Sequence, residues 1–224
     1  MTHTVHPYAH RLGIIRDWKS RWFGLKNKFR ESLKSDLIIR NFLENRLQGF
    51  YAGDILIERS RRVLRIIIET SRPGLIIGRS GEGAVKLREN LLSKFKKEGL
   101  DLKQEVKIDI KEIRSPETNA AIVSQMIAEG LEKRMPFRRV LKQSLDKIIA
   151  NRDVKGAKIQ LSGRLGGATM SRSESRKNGR IPLQTLRADI DFAKKEAHLP
   201  YGNIGIKVWI YKGDVFAKKP AERP

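Results

Sequence analysis

Leu75-Ile76-Ile77-Gly78-Arg79-Ser80-Gly81-Glu82-Gly83-Ala84-Val85-Lys86-Leu87-Arg88 sets a short, glycine-bracketed basic loop between an apolar run and an amphipathic helix. Gly78 and Gly81 have no Cβ, so the main chain between them can turn sharply and lie against a phosphodiester. The amides that open the next helix supply donors and a partial positive charge, and Arg79 adds a full charge at the tip. Two glycines three apart also describe an ordinary turn, so the flanks decide. Ala84, Leu87, Leu91, Leu92 and Phe95 recur at helical spacing, with Lys86, Arg88, Lys94, Lys96 and Lys97 elsewhere, and the loop therefore opens a one-sided helix. No Gly-Lys-Ser/Thr follows, which excludes the nucleotide-triphosphate loop, and Gly74, Gly78, Gly81 and Gly83 never make G-x-G-x-x-G.

Working outward, Ile55-Leu56-Ile57 and Val63-Leu64-Arg65-Ile66-Ile67-Ile68 flank Arg59-Ser60-Arg61-Arg62, which predicts two strands joined by a basic hairpin turn. Upstream, Leu33, Leu37, Ile38, Phe42, Leu43 and Leu47 suit a helix ending near Gly49. Downstream, Val106, Ile108 and Ile110 alternate with Lys107, Asp109 and Lys111, giving a half-buried strand. Helix, strand, strand, short helix, loop, helix, strand is an α+β order, with a three-stranded sheet covered by helices on one face. In that setting a G-x-x-G loop is the device with which the KH module clamps a backbone of about four nucleotides.

The charge balance points to the same class of partner. Forty-seven Lys and Arg against 25 Asp and Glu leave a formal charge of +22, and a field of that size attracts a polyanion, by default nucleic acid. No apolar run approaches the roughly 20 residues of a membrane span, and the N-terminus lacks a signal peptide's apolar stretch, so a cytoplasmic location without membrane is expected. Zero cysteines exclude disulfides, zinc-thiolate sites and cysteine catalysis. Residues 1–16 carry no acid and little periodicity and are expected to form a basic arm that orders only on a partner. Its His3, His6 and His10 lack carboxylate or thiol support for a metal, and no cofactor is expected.

Ser115-Pro116-Glu117 marks a boundary, because proline cannot continue a strand and a helical pattern follows. The spacing predicts helices over 117–134 and 137–150, and Arg138, Arg139 and Lys142 stand opposite the apolar stripe of the second. Three strands are predicted after them, at 157–162, 188–192 and 204–211. Residues 152–187, which include the first of these strands, hold nine basic residues against Asp153 and Glu174. Arg164 sits among Gly163, Gly166 and Gly167, where it could pair a phosphate in bidentate fashion, and with Arg172, Arg176, Lys177 and Arg180 it marks a second expected RNA surface. The expected organisation is a basic arm (1–16), a KH unit with its leading helix (17–113), a second small α+β unit (114–212) and a short tail (213–224). Asp189-Ile190-Asp191 is the one paired-carboxylate motif, and on a strand both aspartates are expected on a wet sheet face opposite Ala188, Ile190 and Phe192. His198 has no candidate nucleophile beside it, so the chain is read as a binder rather than an enzyme.

The sequence then resembles, over nearly its whole length, the S-three family of bacterial small-subunit ribosomal proteins. The matching segments are Val5-His6-Pro7 with Arg11-Leu12-Gly13-Ile14, Arg72-Pro73-Gly74 through Gly81, Met135 to Arg139 with Lys142, Ser162 to Ala168, Leu186 to Asp191, Glu196-Ala197-His198 and Tyr201 to Gly213. The resemblance implies a type II KH fold followed by a second α+β domain, one copy of which sits in the head of the small subunit. It further implies contact with small-subunit rRNA, with Arg11 among the candidate contacts, and neighbours from the S-ten and S-fourteen families. In that family a basic helix face lines the mRNA entry path and helps hold and unwind incoming mRNA, and Arg138, Arg139 and Lys142 occupy the matching positions. Two departures stand out: the KH loop carries Arg79 and Ser80 where members often have two basic residues, and the long charged C-terminal extension of some members is not matched. A free KH regulator or processing factor is the alternative, and a nuclease or lyase activity through Asp189 and Asp191 a remote one.

Overall fold

The computed structural model describes residues 5–99 and 104–216. His3 of the expected arm, and Lys218 and Lys219 of the expected tail, lie outside them. In chain order the elements are α1 (Pro7–His10), β1 (Ser20–Arg21), α2 (Lys26–Arg46), β2 (Ala52–Arg59), β3 (Val63–Thr70), α3 (Pro73–Ile77), α4 (Glu82–Lys97) and β4 (Glu105–Glu112). They continue with α5 (Ala120–Glu132), α6 (Phe137–Ile149), β5 (Gly156–Gly163), β6 (Arg172–Gly179), β7 (Ala188–Leu199) and β8 (Gly202–Asp214). Residues 18–116 make one compact unit, and the residues up to 17 together with those from 117 onward make the other.

In the first unit the sheet order is β1-β2-β3-β4. β2 and β3 form the expected hairpin, with Ile57 opposite Ile66, whereas β4 lies parallel to β3, with Ile66 opposite Ile108. Parallel neighbours need a crossover, and α3, the glycine loop and α4 provide it, which is why that loop exists at all. Ile55, Ile57, Leu64, Ile66, Ile68 and Val106 are buried against Ile39, Leu43 and Leu47 of α2 and Leu87, Leu91 and Phe95 of α4. The three expected strands gain a fourth, the two-residue β1, which pairs with β2 through Ser20 and Ile57. Two residues carry no periodicity, so nothing in the pattern announced it.

The basic turn also differs from expectation. Arg59 points inward, with Nη2 2.7 Å from both Asp36 Oδ1 and Ser35 Oγ, while the Trp22 indole N–H donates to Asp36 Oδ2 at 2.6 Å. Asp36 is buried, so its charge is tolerated only because these donors surround it. Arg61 and Arg62 alone remain at the turn as exposed cations.

The second unit pairs its strands in the order β6-β5-β8-β7, all antiparallel. Helices α5 and α6 cover one face, and the core between them holds Val123, Ile127, Leu131, Leu141 and Ile148 against Ile159, Leu161, Ile204, Ile206, Val208 and Ile210. Three strands were expected and four are present. Strand β6, Arg-Ser-Glu-Ser-Arg-Lys-Asn-Gly, is polar on both faces and lies at the sheet edge, where charge protects an open ladder, so it reads as a basic loop until its pairing with β5 is seen. The aspartates of β7 are not on a wet face. Asp191 accepts from the amide of Ala120 at 2.9 Å, and Asn119 caps the amides of Ala121 and Ile122, so the start of α5 rests on this strand. Asp189 pairs with Arg16 at 2.7 Å.

The N-terminal residues correct a larger expectation. Residues 5–16 are not extended: α1 packs on β7, the His6 ring lies 4.7 Å from that of Phe192, and Arg11 is fully buried. Arg11 donates from Nε to Ala188 O at 2.5 Å, from Nη1 to Pro7 O at 3.0 Å, and from Nη2 to Leu183 O at 2.9 Å and Thr185 O at 3.0 Å. Residues 182–187 turn ahead of β7, and the planar guanidinium reaches several of the carbonyls around this turn at once. Burial pushes the Arg11 guanidinium down from its ordinary range, Asp189 opposes that shift, and Arg16 adds to it. Arg11 is thus a cross-chain tie and not a surface contact for RNA. On the same sheet face, opposite the helices, Ala188, Ile190, Trp209 and Tyr211 form a small second cluster.

Candidate nucleic-acid interface

The glycine loop takes the conformation its residues suggest. Pro73 opens α3, Gly78 follows it at φ 71°, Ser80 has φ 51°, and Gly81 has φ 82° as the residue before α4. Arg79 is exposed at the tip, and its side chain makes neither hydrogen bond nor ion pair among the described residues. A Cβ at Gly83 would stand 2.5 Å from Ile76 O and 2.8 Å from Ile77 O, so the first turn of α4 packs directly on the last carbonyls of α3. Gly83→Ala should therefore push the two helices apart and destabilise the loop by about 1–3 kcal/mol, the ordinary range for overpacking. Amide exchange in the full chain checks this: residues 73–97 should lose protection selectively, and protection equal to wild type would contradict the close packing. Glu82, in the first turn of α4, pairs with Lys86 at 3.1 Å. A carboxylate there, with Ser80 in place of a second cation, leaves the loop with a single unpaired positive charge, Arg79.

A denser basic surface stands on α6. Val140, Leu141, Leu145 and Ile148 are buried, so Arg138, Arg139 and Lys142 project to solvent from the other side of the helix. The Arg139 and Lys142 side chains make no hydrogen bond or ion pair among the described residues. The Arg138 guanidinium lies 5.5 Å from the centre of the Phe137 ring and 3.6 Å from Glu174 Oε1. From the neighbouring strand, the Arg172 guanidinium lies 5.6 Å from the same ring. In the ladder, Arg172, Glu174 and Arg176 stand opposite Gly163, Leu161 and Ile159, on the sheet face that carries the helices. Arg172 and Arg176 of β6 therefore extend the α6 face and do not form a separate patch.

The remaining candidates divide. Arg164 donates from Nε to Ala168 O and from Nη1 to Tyr201 O, both at 2.9 Å, so it holds the glycine-rich turn together and cannot present those two donors to a phosphate. Lys177 stands opposite Lys158 on the other face of the sheet, and Arg180 is exposed just past the end of β6. The aspartates Asp189 and Asp191 are held by Arg16 and by the start of α5, and the His198 ring contacts Asn203 Oδ1 at 3.0 Å. What the arrangement offers chemically is cations, a partly buried aromatic ring beneath two of them and main-chain donors, the equipment for gripping a phosphodiester. Sequence reasoning missed the Phe137 ring between two arginines, because the partner strand that supplies Arg172 was not visible as a strand.

Comparison with known proteins gives one consistent result. Residues 38–118 match the family model described as KH domain, and residues 127–210 match that described as Ribosomal protein S3, C-terminal domain. Among similar curated proteins, the small ribosomal subunit protein uS3 of Caldicellulosiruptor bescii is 46% identical, over 99% of this chain and 96% of its own length. The protein of that name from Endomicrobium trichonymphae is 44% identical over 99% of this chain and 92% of its own length. That from Photobacterium profundum is 42% identical over 100% of this chain and 94% of its own length. A KH unit carrying the glycine loop, a second α+β unit carrying the basic helix face, and this degree of identity from end to end agree, and the chain belongs to the uS3 family of small ribosomal subunit proteins.

Proposed function

We infer that this protein is a structural, RNA-binding constituent of the small ribosomal subunit, and we propose that it sits in the subunit head with its α6 face on the path of incoming mRNA. The observation that carries the finer reading is the cluster of Arg138, Arg139 and Lys142, three cations turned away from the core of a well-packed helix and joined by Arg172 from β6. Arg138 has the Phe137 ring and Glu174 beside it, but the Arg139 and Lys142 side chains have no partner among the described residues, and at close quarters the three cations repel one another. Their value lies in a polyanion passing over them, and a series of separate phosphate contacts suits a strand that must slide. Arg79, at the tip of the KH loop, is a secondary RNA contact in this reading, and Arg176, Lys177 and Arg180 are candidates for rRNA. Neighbouring head proteins of the S-ten and S-fourteen families are the expected protein partners.

The decisive experiment is sedimentation. Tagged full-length protein should travel with small subunits at a salt concentration that strips loosely bound RNA-binding proteins, because phosphate contacts alone weaken steeply as salt rises. Recovery only in the free pool would sink the ribosomal reading and favour a free KH regulator.

A further inference from the structure

The sheet face of the second unit that looks away from α5 and α6 carries a second set of cations. Register places them side by side: Lys177 of β6 stands opposite Lys158 of β5, which stands opposite Trp209 of β8, and Trp209 stands opposite Phe192 of β7. The adjacent row runs Ser175, Gln160, Lys207, Lys194. At about 4.8 Å between strands these two rows cross the whole sheet in roughly 14 Å. N-terminal α1 packs on β7 near Ala188, Ile190 and Phe192, but Lys177, Lys194 and Lys207 are exposed. The Lys158 ammonium lies over the Trp209 ring, 5.1 Å from its centre.

This arrangement is costly for the fold alone. Like charges directly opposite each other in a ladder are destabilising, and two such pairs occur here, Lys158 with Lys177 and Lys194 with Lys207. Glu196 is the carboxylate nearest this group, 4.0 Å from Lys194, while Glu174 lies on the other side of its strand. The Lys177 and Lys207 side chains make no hydrogen bond or ion pair among the described residues. Resting on the reading of this chain as an RNA-binding ribosomal protein, we propose that Lys158, Lys177, Lys194 and Lys207 form a separate docking face for an RNA phosphodiester backbone. Ser175 and Gln160 share a row with Lys207 and Lys194, and Ser173 stands one row beyond; side chains of these types can hydrogen-bond a phosphate backbone without reading bases. A protein partner fits less well, since the centres of protein interfaces are depleted in lysine and serine, and both fill this surface.

Two measurements test the face. The first titrates full-length protein with a mixed-sequence single-stranded RNA oligonucleotide at several salt concentrations. Lys158→Gln, Lys177→Gln and Lys207→Gln together should flatten the slope of log affinity against log salt by about 2, as the loss of three phosphate contacts to a single strand requires. A variant with Arg138, Arg139 and Lys142 changed to Ala, measured alongside, reports the α6 face alone. If the α6 variant changes the slope and the lysine variant does not, the proposal is wrong while the assigned function stands. The second measurement places a photocrosslinking residue at Ser175 and irradiates intact subunits. Crosslinks to rRNA are expected, and crosslinks to a ribosomal protein, or to nothing, would overturn the RNA assignment. Cosedimentation of the same labelled chain keeps failure of the ribosomal reading separate from failure of this one.

Discussion

Replacing Arg11 with Met should cost the C-terminal unit about 3–5 kcal/mol, because the buried carbonyls of Ala188 and Pro7 and the part-buried carbonyl of Leu183 would lose this donor at one stroke, and each unsatisfied buried group costs about 1–3 kcal/mol. The side chain is fully buried, and its acceptors come from both ends of the chain: Pro7 on one side, Leu183, Thr185 and Ala188 on the other. Lysine is no substitute. A single ammonium cannot present a planar fork of donors to carbonyls in different directions, so Arg11→Lys should recover only part of the loss. Urea unfolding of the full chain, combined with amide exchange over residues 182–199, measures both variants. A loss within about 0.5 kcal/mol of wild type for Arg11→Met, the range of a neutral surface change, would mean that water replaces the guanidinium without penalty.

The other large effect concerns translation. Reversing Arg138, Arg139 and Lys142 to Glu should slow passage through structured mRNA several-fold while subunits still assemble. The three side chains leave the core untouched, so folding is spared, and each lost phosphate contact to a single strand lowers the salt slope of RNA binding by about 0.7. Reporter synthesis from messages with and without a stable hairpin separates the outcomes. If subunit assembly falls as far as translation does, these residues are mainly rRNA contacts and the mRNA role is lost. Arg172→Ala should give a milder version of the same defect, since its guanidinium shares the Phe137 ring with Arg138.

Much of the fold was legible because its signals are local. The alternation in Val106, Ile108 and Ile110, the helical spacing from Ala84 to Phe95 and the glycines of the loop each depend on a few neighbouring residues, and the structure follows them. What could not be read depends on partners distant in sequence. Strand β6 has no apolar face of its own and becomes a strand only because β5 pairs with it. Arg11 and Arg59 look like any other surface cation until Ala188 and Asp36 are brought to them. The same limit applied to the site: the α6 face was visible as i, i+3 and i+4 spacing, whereas the contribution of Arg172, and the row of lysines on the far side of the sheet, required the strand register.

The tie between Arg11 and the 182–188 segment also sets an order of events during synthesis. Arg11 is made well before its acceptors at Leu183, Thr185 and Ala188, which lie 172 to 177 positions later. Residues 18–116 need nothing beyond themselves to close their sheet, and chains fold from the N-terminus as they emerge. The leading segment must therefore wait, unsatisfied, while an entire unit is made after it, and it docks only when β7 appears. A chain truncated before Ala188 would leave the Arg11 guanidinium without its principal partner, so the segment around Arg11 can take its final place only after β7 has been made.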